Sequence, residues 1–147
     1  MKTRGFTFIE ILLASGILAF SVCGILFAYV SCAALVNLSK NMNTATNAAI
    51  GMMEEVRGSP FTQIVDTYNG LNFILNDTPP IPSMGTVTID DTNPEFLEVT
   101  ISVSWQQGNR IIGEDANLNG ILDAGEDTDG NGILNSPAEV VTRIANR

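Results

Sequence analysis

FTFIEILLASGILAFSVCGILFAYVSCAALVNLS, running from Phe6 to Ser39, decides what kind of chain this is. Past Glu10 it holds no charged residue until Lys40. Such a run exceeds the ~20 apolar residues that a bilayer-spanning helix needs. A secretory signal has a shorter apolar core ahead of a small-residue cleavage site, and that core is lost on processing. Here the run is too long for that, so it is expected to stay in the mature protein as a transmembrane helix over about 9–38. Lys2 and Arg4 stand at its start and the next basic residue is Lys40. The positive-inside rule then places the N-terminus in the cytoplasm and the remainder across the membrane. Because the run is apolar all round, it must be buried on every side, in lipid and then among other helices.

Glu10 breaks this pattern, since a carboxylate inside an apolar run costs on the order of a few kcal/mol unless it is paired or snorkels to water. A cation made nearby would be its natural partner. Gly5-Phe6-Thr7-Phe8-Ile9-Glu10, followed by Ile11-Leu12-Leu13-Ala14, resembles the prepilin signature of type IV pilins and type II secretion pseudopilins. The likeness covers about the first thirty residues closely and the rest only in architecture. It implies that residues 1–5 are a leader, cut between Gly5 and Phe6 by a prepilin peptidase on the cytoplasmic side, with N-terminal methylation of Phe6. It also implies that Glu10 faces that new amine on a neighbouring subunit. The helix would leave the bacterial inner membrane for a filament core, and the globular part would lie in the periplasm or outside the cell.

Two departures point toward a pseudopilin or minor pilin. Many major type IV pilins carry a proline partway along the apolar helix, and this chain has none before Pro60. They also often close a C-terminal loop with a disulfide. Cys23 and Cys32 both lie in the apolar run, nine residues apart and on opposite sides of a helix, so they cannot bond within one chain. Gly24, Ala28 and Cys32 form a ridge of small residues that lets helices approach closely, or a chance scatter of them.

Gly58-Ser59-Pro60 is the first strong helix stop, so one helix is expected over 6–57. Its second half keeps an apolar stripe of Leu38, Met42, Ala45, Ala49, Met52 and Val56, spaced to fall on one face. Residues 61–83 mix Asn, Asp, Pro and Gly with short apolar pieces and read as a connecting loop. Thr86–Ile89 alternates, and Leu97, Val99, Ile101, Val103 and Trp105 share one face of a longer strand. Gln106-Gln107-Gly108-Asn109 reads as a hairpin turn into Arg110–Ile112. A last strand is expected from Glu139 to Ala145, with Val140 and Ile144 inward. The expected fold is α+β, a long helix on a small antiparallel sheet, with residues 58–147 as the globular β domain. The outer sheet face, rich in Thr, Ser and Glu, is expected to be exposed, with no catalytic grouping on it.

An acidic insertion over 113–138 carries the other chemistry. Asp115-Ala-Asn117-Leu-Asn119-Gly120-Ile121-Leu-Asp123-Ala-Gly-Glu126 matches the twelve-residue EF-hand calcium pattern at every ligand position. Asp115, Asn117 and Asn119 offer side-chain oxygens, Ile121 its carbonyl, Asp123 a ninth-position oxygen and Glu126 a bidentate carboxylate. Hard oxygen donors without His or Cys favour calcium over zinc or copper. A second, weaker copy follows: Asp127, Asp129, Asn131, Gly132, Ile133 and Asn135. Its twelfth position is Ala138, so Glu139, one residue late, is the expected closing ligand. No flanking helices are expected, which favours a structural calcium over a sensor. A solvated, turn-rich insertion held by Asx turns is the alternative. Against it, six acids crowd between Glu114 and Asp129 and would repel one another without a cation.

The chain has 7 Lys and Arg against 16 Asp and Glu, with no His. No basic stripe exists, so direct nucleic-acid binding is not expected. No phosphate loop or nucleophile-base pair occurs, and an enzyme is not expected. The expected function is a structural subunit of a type IV pilus or type II secretion pseudopilus, with a calcium-stabilised C-terminal loop. Its partners would be other such subunits and the peptidase. The rival is a membrane-tethered calcium-binding or adhesion module that never polymerises.

Overall fold

The computed structural model describes residues 5–76 and 80–146. The expected leader therefore lies outside the described residues except for Gly5. Helix α1 runs Phe8–Gly58, followed by α2 (Phe61–Tyr68) and five strands: β1 (Asn72–Phe73), β2 (Ser83–Asp90), β3 (Phe96–Gln107), β4 (Arg110–Ile112) and β5 (Ala138–Ala145). The chain divides into two compact units, with the boundary between Ser39 and Lys40.

In the first unit, α1 is long and apolar enough to cross a membrane. None of its most apolar window is buried within the chain. Phe20 is 83% exposed and Phe27 77%, so this surface has no internal partner. That distinguishes it from the core helix of a soluble protein, whose apolar face is covered by its own fold.

In the second unit, all strand pairs are antiparallel. β1, β2 and β3 are neighbours in that order, and β3 pairs along its other edge with β5 and, at its C-terminal end, with β4. The α+β architecture expected from the alternating pattern is the one observed. Leu97, Val99, Ile101, Val103 and Trp105 are all buried, and they form the core with Val87 and Ile89 of β2. From α1 the core receives Ala45, Ala49, Met53 and Val56.

The helix stripe differs from the expected one at two positions. Met53 is buried where Met52 was expected, and Met42 is 41% exposed. The buried set starts as the i, i+4, i+8 row Ala45-Ala49-Met53, an inclined ridge, and not the alternating three-four spacing. Two alanines in that row present little side-chain volume, and both are fully buried.

Residues 61–83 are not simply a loop, as expected, because α2 and β1 lie within them and β2 begins at Ser83. Phe61, Ile64, Val65 and Tyr68 repeat at helical spacing, and Ile64 and Tyr68 are buried. Eight residues are too few for periodicity to stand out against the surrounding turn formers. β1 pairs with β2, and its Phe73 packs over Gly85: a Cβ there would lie 2.3 Å from the ring, so that ring occupies the space a side chain would fill.

The outer face of β3, expected to be exposed, is covered at Ser102 and Ser104 and half-exposed at Glu98 and Thr100. Ser102 and Ser104 are buried because the acidic insertion lies over them. Ser102 Oγ donates to the Leu134 carbonyl, and Ser136 Oγ donates to that of Val103. Gly113 sits so close to Ser104 that any Cβ would collide with it.

Ile101 lies at the centre of this core, fully buried between β2 and β5. Ile101→Ala should destabilise a fragment beginning at Lys40 by about 2–5 kcal/mol in urea unfolding. A loss below ~0.5 kcal/mol, the range of surface substitutions, would contradict this placement.

Candidate functional site

At the start of α1, Gly5 and Phe6 precede the helix and are exposed. Thr7 begins it: its hydroxyl and its carbonyl both receive the Glu10 backbone N–H. Thr7 caps the helix, and Glu10, as a first-turn acid, complements the helix dipole. Glu10 thus has a local role beside any role with a partner. Its side chain shares a shallow recess with Phe6, Ile11, Ala14 and Leu18.

The first acidic loop is organised by its own oxygens. Asp115, only 1% exposed, accepts the backbone N–H of Asn119 on Oδ1 and that of Gly120 on Oδ2, at 3.0 and 2.9 Å. Asn117 Oδ1 accepts from Asn119 N, and Asn119 Oδ1 from Ile121 N. Asn117 and Asn119 each donate an amide N–H to Asp123 Oδ2. The Glu126 carboxylate closes the ring, taking Ala116 N–H on one oxygen and Asp123 N–H on the other, at 2.8 and 3.0 Å. Gly120 has φ +73, the left-handed turn that the sixth loop position requires. Leu118 also has positive φ, 56°, a conformation that is unfavourable for a residue with a Cβ.

The second loop repeats this pattern twelve residues on. Asp127 accepts from Asn131 N and Gly132 N, Asp129 from Asn131 N, and Asn131 from Ile133 N. Gly132 has φ +79, and Gly130, at the position of Leu118, has φ +77. Asn131 and Asn135 donate their amides to Asp129 Oδ2. The closing carboxylate comes from an unexpected place. Glu114 takes Thr128 N–H on Oε1 and Asn135 N–H on Oε2, at 3.0 and 2.9 Å. These are the second- and ninth-position amides, the same pair that Glu126 takes in the first loop. The backbone repeats the correspondence: Glu126 N–H donates to Asp123 O, and Glu114 N–H to Asn135 O.

Each loop is therefore closed by the Glu that precedes the other loop's first Asp. Glu139, the expected twelfth ligand, lies exposed in β5 opposite Ser102. The repeat Glu-Asp-x-(Asn/Asp)-x-Asn-Gly-Ile-Leu was the signal that could have identified Glu114, had it been counted from Glu114 and not from Asp115.

No three acidic side chains among the described residues converge as a metal cluster, because backbone and amide N–H groups fill the loop centres. The donor set still fits a hard cation. Every oxygen that accepts one N–H retains a further lone pair, and the donors are carboxylate or amide oxygens throughout. Ile121 and Ile133 hold the position that supplies a backbone carbonyl in such loops.

The local charges follow from these contacts. A hydrogen bond from the Thr128 side chain, then one from Asn135 N–H, holds Glu114 below the usual carboxylate range. Asn117 and Asn119 do the same for Asp123. Although Glu139 is exposed as a residue, its carboxyl is pushed up, first by partial loss of solvent around it and then by the charges of Asp129 and Glu114, against a hydrogen bond from Ser136. A depressed carboxylate adds stability above its unfolded pKa, about 4, and loses it as pH falls. A raised one has the opposite sign, and costs stability as pH rises through its range. In chelator, Glu139→Gln should therefore raise Tm at pH 7 but not at pH 4, checked by thermal melts at both. An equal gain at the two pH values would show that ionisation of Glu139 is not the cause.

Compared with known proteins, the chain matches no family model, no curated protein and no solved structure.

Proposed function

We propose that this chain is a structural filament subunit of the type IV pilus or type II secretion pseudopilus class. The observation that carries this is the start of α1: an apolar helix, uncovered on every side, whose first turn holds a carboxylate four residues after Phe6 and five after Gly5. Cleavage after Gly5 by a prepilin peptidase creates a cation at Phe6, methylated in the mature protein. Glu10 of one subunit then pairs with that amine on the next. The pairing removes the penalty of a carboxylate among apolar helices, since opposite charges a few ångströms apart attract strongly at low dielectric. Before assembly the same helix resides in the inner membrane, with its N-terminus cytoplasmic and the second unit in the periplasm.

Calcium is the proposed staple of the acidic insertion. Asp115, Asn117, Asn119, Ile121, Asp123 and Glu126 would hold one ion. Asp127, Asp129, Asn131, Ile133 and Asn135 would hold a second, with Glu114 in place of Glu139. Bound calcium supplies charge neutralisation and pins the layer that covers the outer face of β3; these residues orient their oxygens through the backbone N–H groups they accept.

Mass spectrometry of the protein from membranes with an active peptidase should find a methylated Phe6 as the first residue; an intact Met1 there would sink the assignment. Glu10→Ala should abolish incorporation into sheared filaments while leaving membrane levels unchanged. For the loops, a fragment beginning at Lys40 should bind two calcium ions, with a gain of about 2.7 kcal/mol per site at a hundredfold excess over Kd. Glu114→Gln should lower the stoichiometry to one and Glu139→Gln should leave it at two. The reverse pattern would return the closing role to Glu139.

A further inference from the structure

β5 forms one edge of the second unit's sheet. It pairs with β3 along one side and with no other strand among the described residues. The Asn146 N–H donates to the Glu95 carbonyl, one step beyond the pair formed by Phe96 and Ala145. In an antiparallel ladder, hydrogen-bonded pairs recur at every second residue. The even-numbered residues of β5 therefore direct their N–H and carbonyl groups at β3. Those of Glu139, Val141, Arg143 and Ala145 are directed the other way, toward the open edge. All of these residues are exposed, Val141 at 52%. No proline, glycine or bulge interrupts the eight residues of the strand, so its own backbone does nothing to close this edge.

Charges on an edge strand ordinarily discourage pairing. Here their order makes the strand complementary to itself. Turned antiparallel against a second copy about Val141, it sets Glu139 opposite the copy's Arg143 at either end, with Val141 opposite Val141. The residues that meet are those whose main-chain groups face the open edge, so this register forms about six main-chain hydrogen bonds. The ladder stops where Ala145 would meet Pro137, which has no N–H to give. Neighbouring registers lose the charge match. Centred on Arg143, the pairing sets two guanidinium groups against each other. Centred on Val140 or Thr142, it sets each charge opposite an uncharged residue.

Arg143 is already held in place for this. Its Nε donates to Glu98 Oε2 at 2.7 Å, and its guanidinium lies 5.1 Å from the centroid of the Phe96 ring. The side chain nonetheless stays 68% exposed. A guanidinium has several N–H donors in a fixed fork, so it can serve a second carboxylate beside the first. Glu139 is in the opposite situation. Asp129 and Glu114 both raise the negative potential around it, and Arg57 is spent on Thr142, a residue of the other face of β5.

We propose that the open edge of β5 docks the same edge of a second copy of this chain, antiparallel about Val141, through main-chain hydrogen bonds and a Glu139–Arg143 pair at either end. Such a self-complementary contact joins two chains and stops, unlike the head-to-tail contacts that extend a filament. The inference therefore goes beyond the proposed function and does not rest on it.

The test uses the full chain in detergent micelles, with Cys23 and Cys32 replaced by Ser. Opposed residues of a hydrogen-bonded antiparallel pair have Cα atoms about 5.5 Å apart, within disulfide reach. Under mild oxidation Val141→Cys should form a linked dimer at least about tenfold faster than Ala145→Cys, because a held contact raises the effective concentration. Ala145 shares the strand and face of Val141 but lies far from its own counterpart in this register. Association through α1 would speed both cysteines alike and leave no difference between them. In the Val141→Cys background, Glu139→Arg and Arg143→Glu should each slow dimer formation by about tenfold, since like charges then lie opposite. Mixing the two variants should recover most of the rate, because opposite charges meet again in the mixed dimer. Circular dichroism checks each fold; if Arg143→Glu unfolds through repulsion by Glu98, Arg143→Gln takes its place, with a smaller loss and a smaller recovery. Equal rates for the two cysteines, indifference to both charge changes, or no recovery in the mixture overturns the proposal.

Discussion

An apolar helix with no partner inside its own chain is the constraint on which everything else here depends. At ~25 cal/mol per Å² of apolar surface, leaving the side chains from Phe8 to Leu35 in water would outweigh the stability of an ordinary small domain. The helix must therefore be covered by something other than this polypeptide. Lipid can do so, and so can other copies of the same helix, because both offer apolar surface without demanding hydrogen bonds from a backbone that is already satisfied. The hydroxyls of Ser15, Ser21 and Ser31 are already bonded to helix carbonyls, and Glu10 is the only charged side chain in that segment. Its position, one turn from the residue that processing would expose, is what makes the second kind of cover plausible chemistry and not only a geometric option.

The second unit faces the opposite difficulty, a shortage of core. Its sheet is five strands, two of them only two or three residues long, and the helix contributes small side chains. The acidic insertion answers this by becoming a further layer. It is tied to β3 through Ser102 and Ser136, and it sets Gly113 against Ser104. Its carboxylates, those of the nearly inaccessible Asp115 and Glu126 among them, accept backbone N–H groups of a strand-free loop. The same acceptors form a donor set suited to a divalent cation, so the scaffold and the proposed ion act on one set of oxygens.

Much of the architecture was legible in the residues because it depends on local periodicity. The uncharged run, the alternation from Leu97 to Trp105 and the Gly108-Asn109 turn each carry their own signal, and each is found where the pattern places it. What was missed lies where the signal is short or the contact is distant. α2 and β1 are brief, and they are held by burial of Ile64 and Tyr68 and by Phe73 over Gly85. The burial of Met53 in place of Met52 is set by how the sheet meets the helix, which periodicity within the helix does not specify.

The acidic loops show the division most clearly. The sequence alone determined that two twelve-residue, oxygen-rich loops follow one another, because the side chains of Asp115, Asn117 and Asn119, and of Asp127, Asp129 and Asn131, hydrogen-bond to backbone only two to five residues away. Only the tertiary structure decided which carboxylate closes each loop. The chain folds back so that Glu114, thirteen residues before Asp127, reaches Thr128 and Asn135, because its own backbone is bonded to Asn135 at the base of the insertion. Linear spacing assigns a closing ligand by counting forward along the chain, whereas the folded chain assigns it by which carboxylate meets the two open N–H groups.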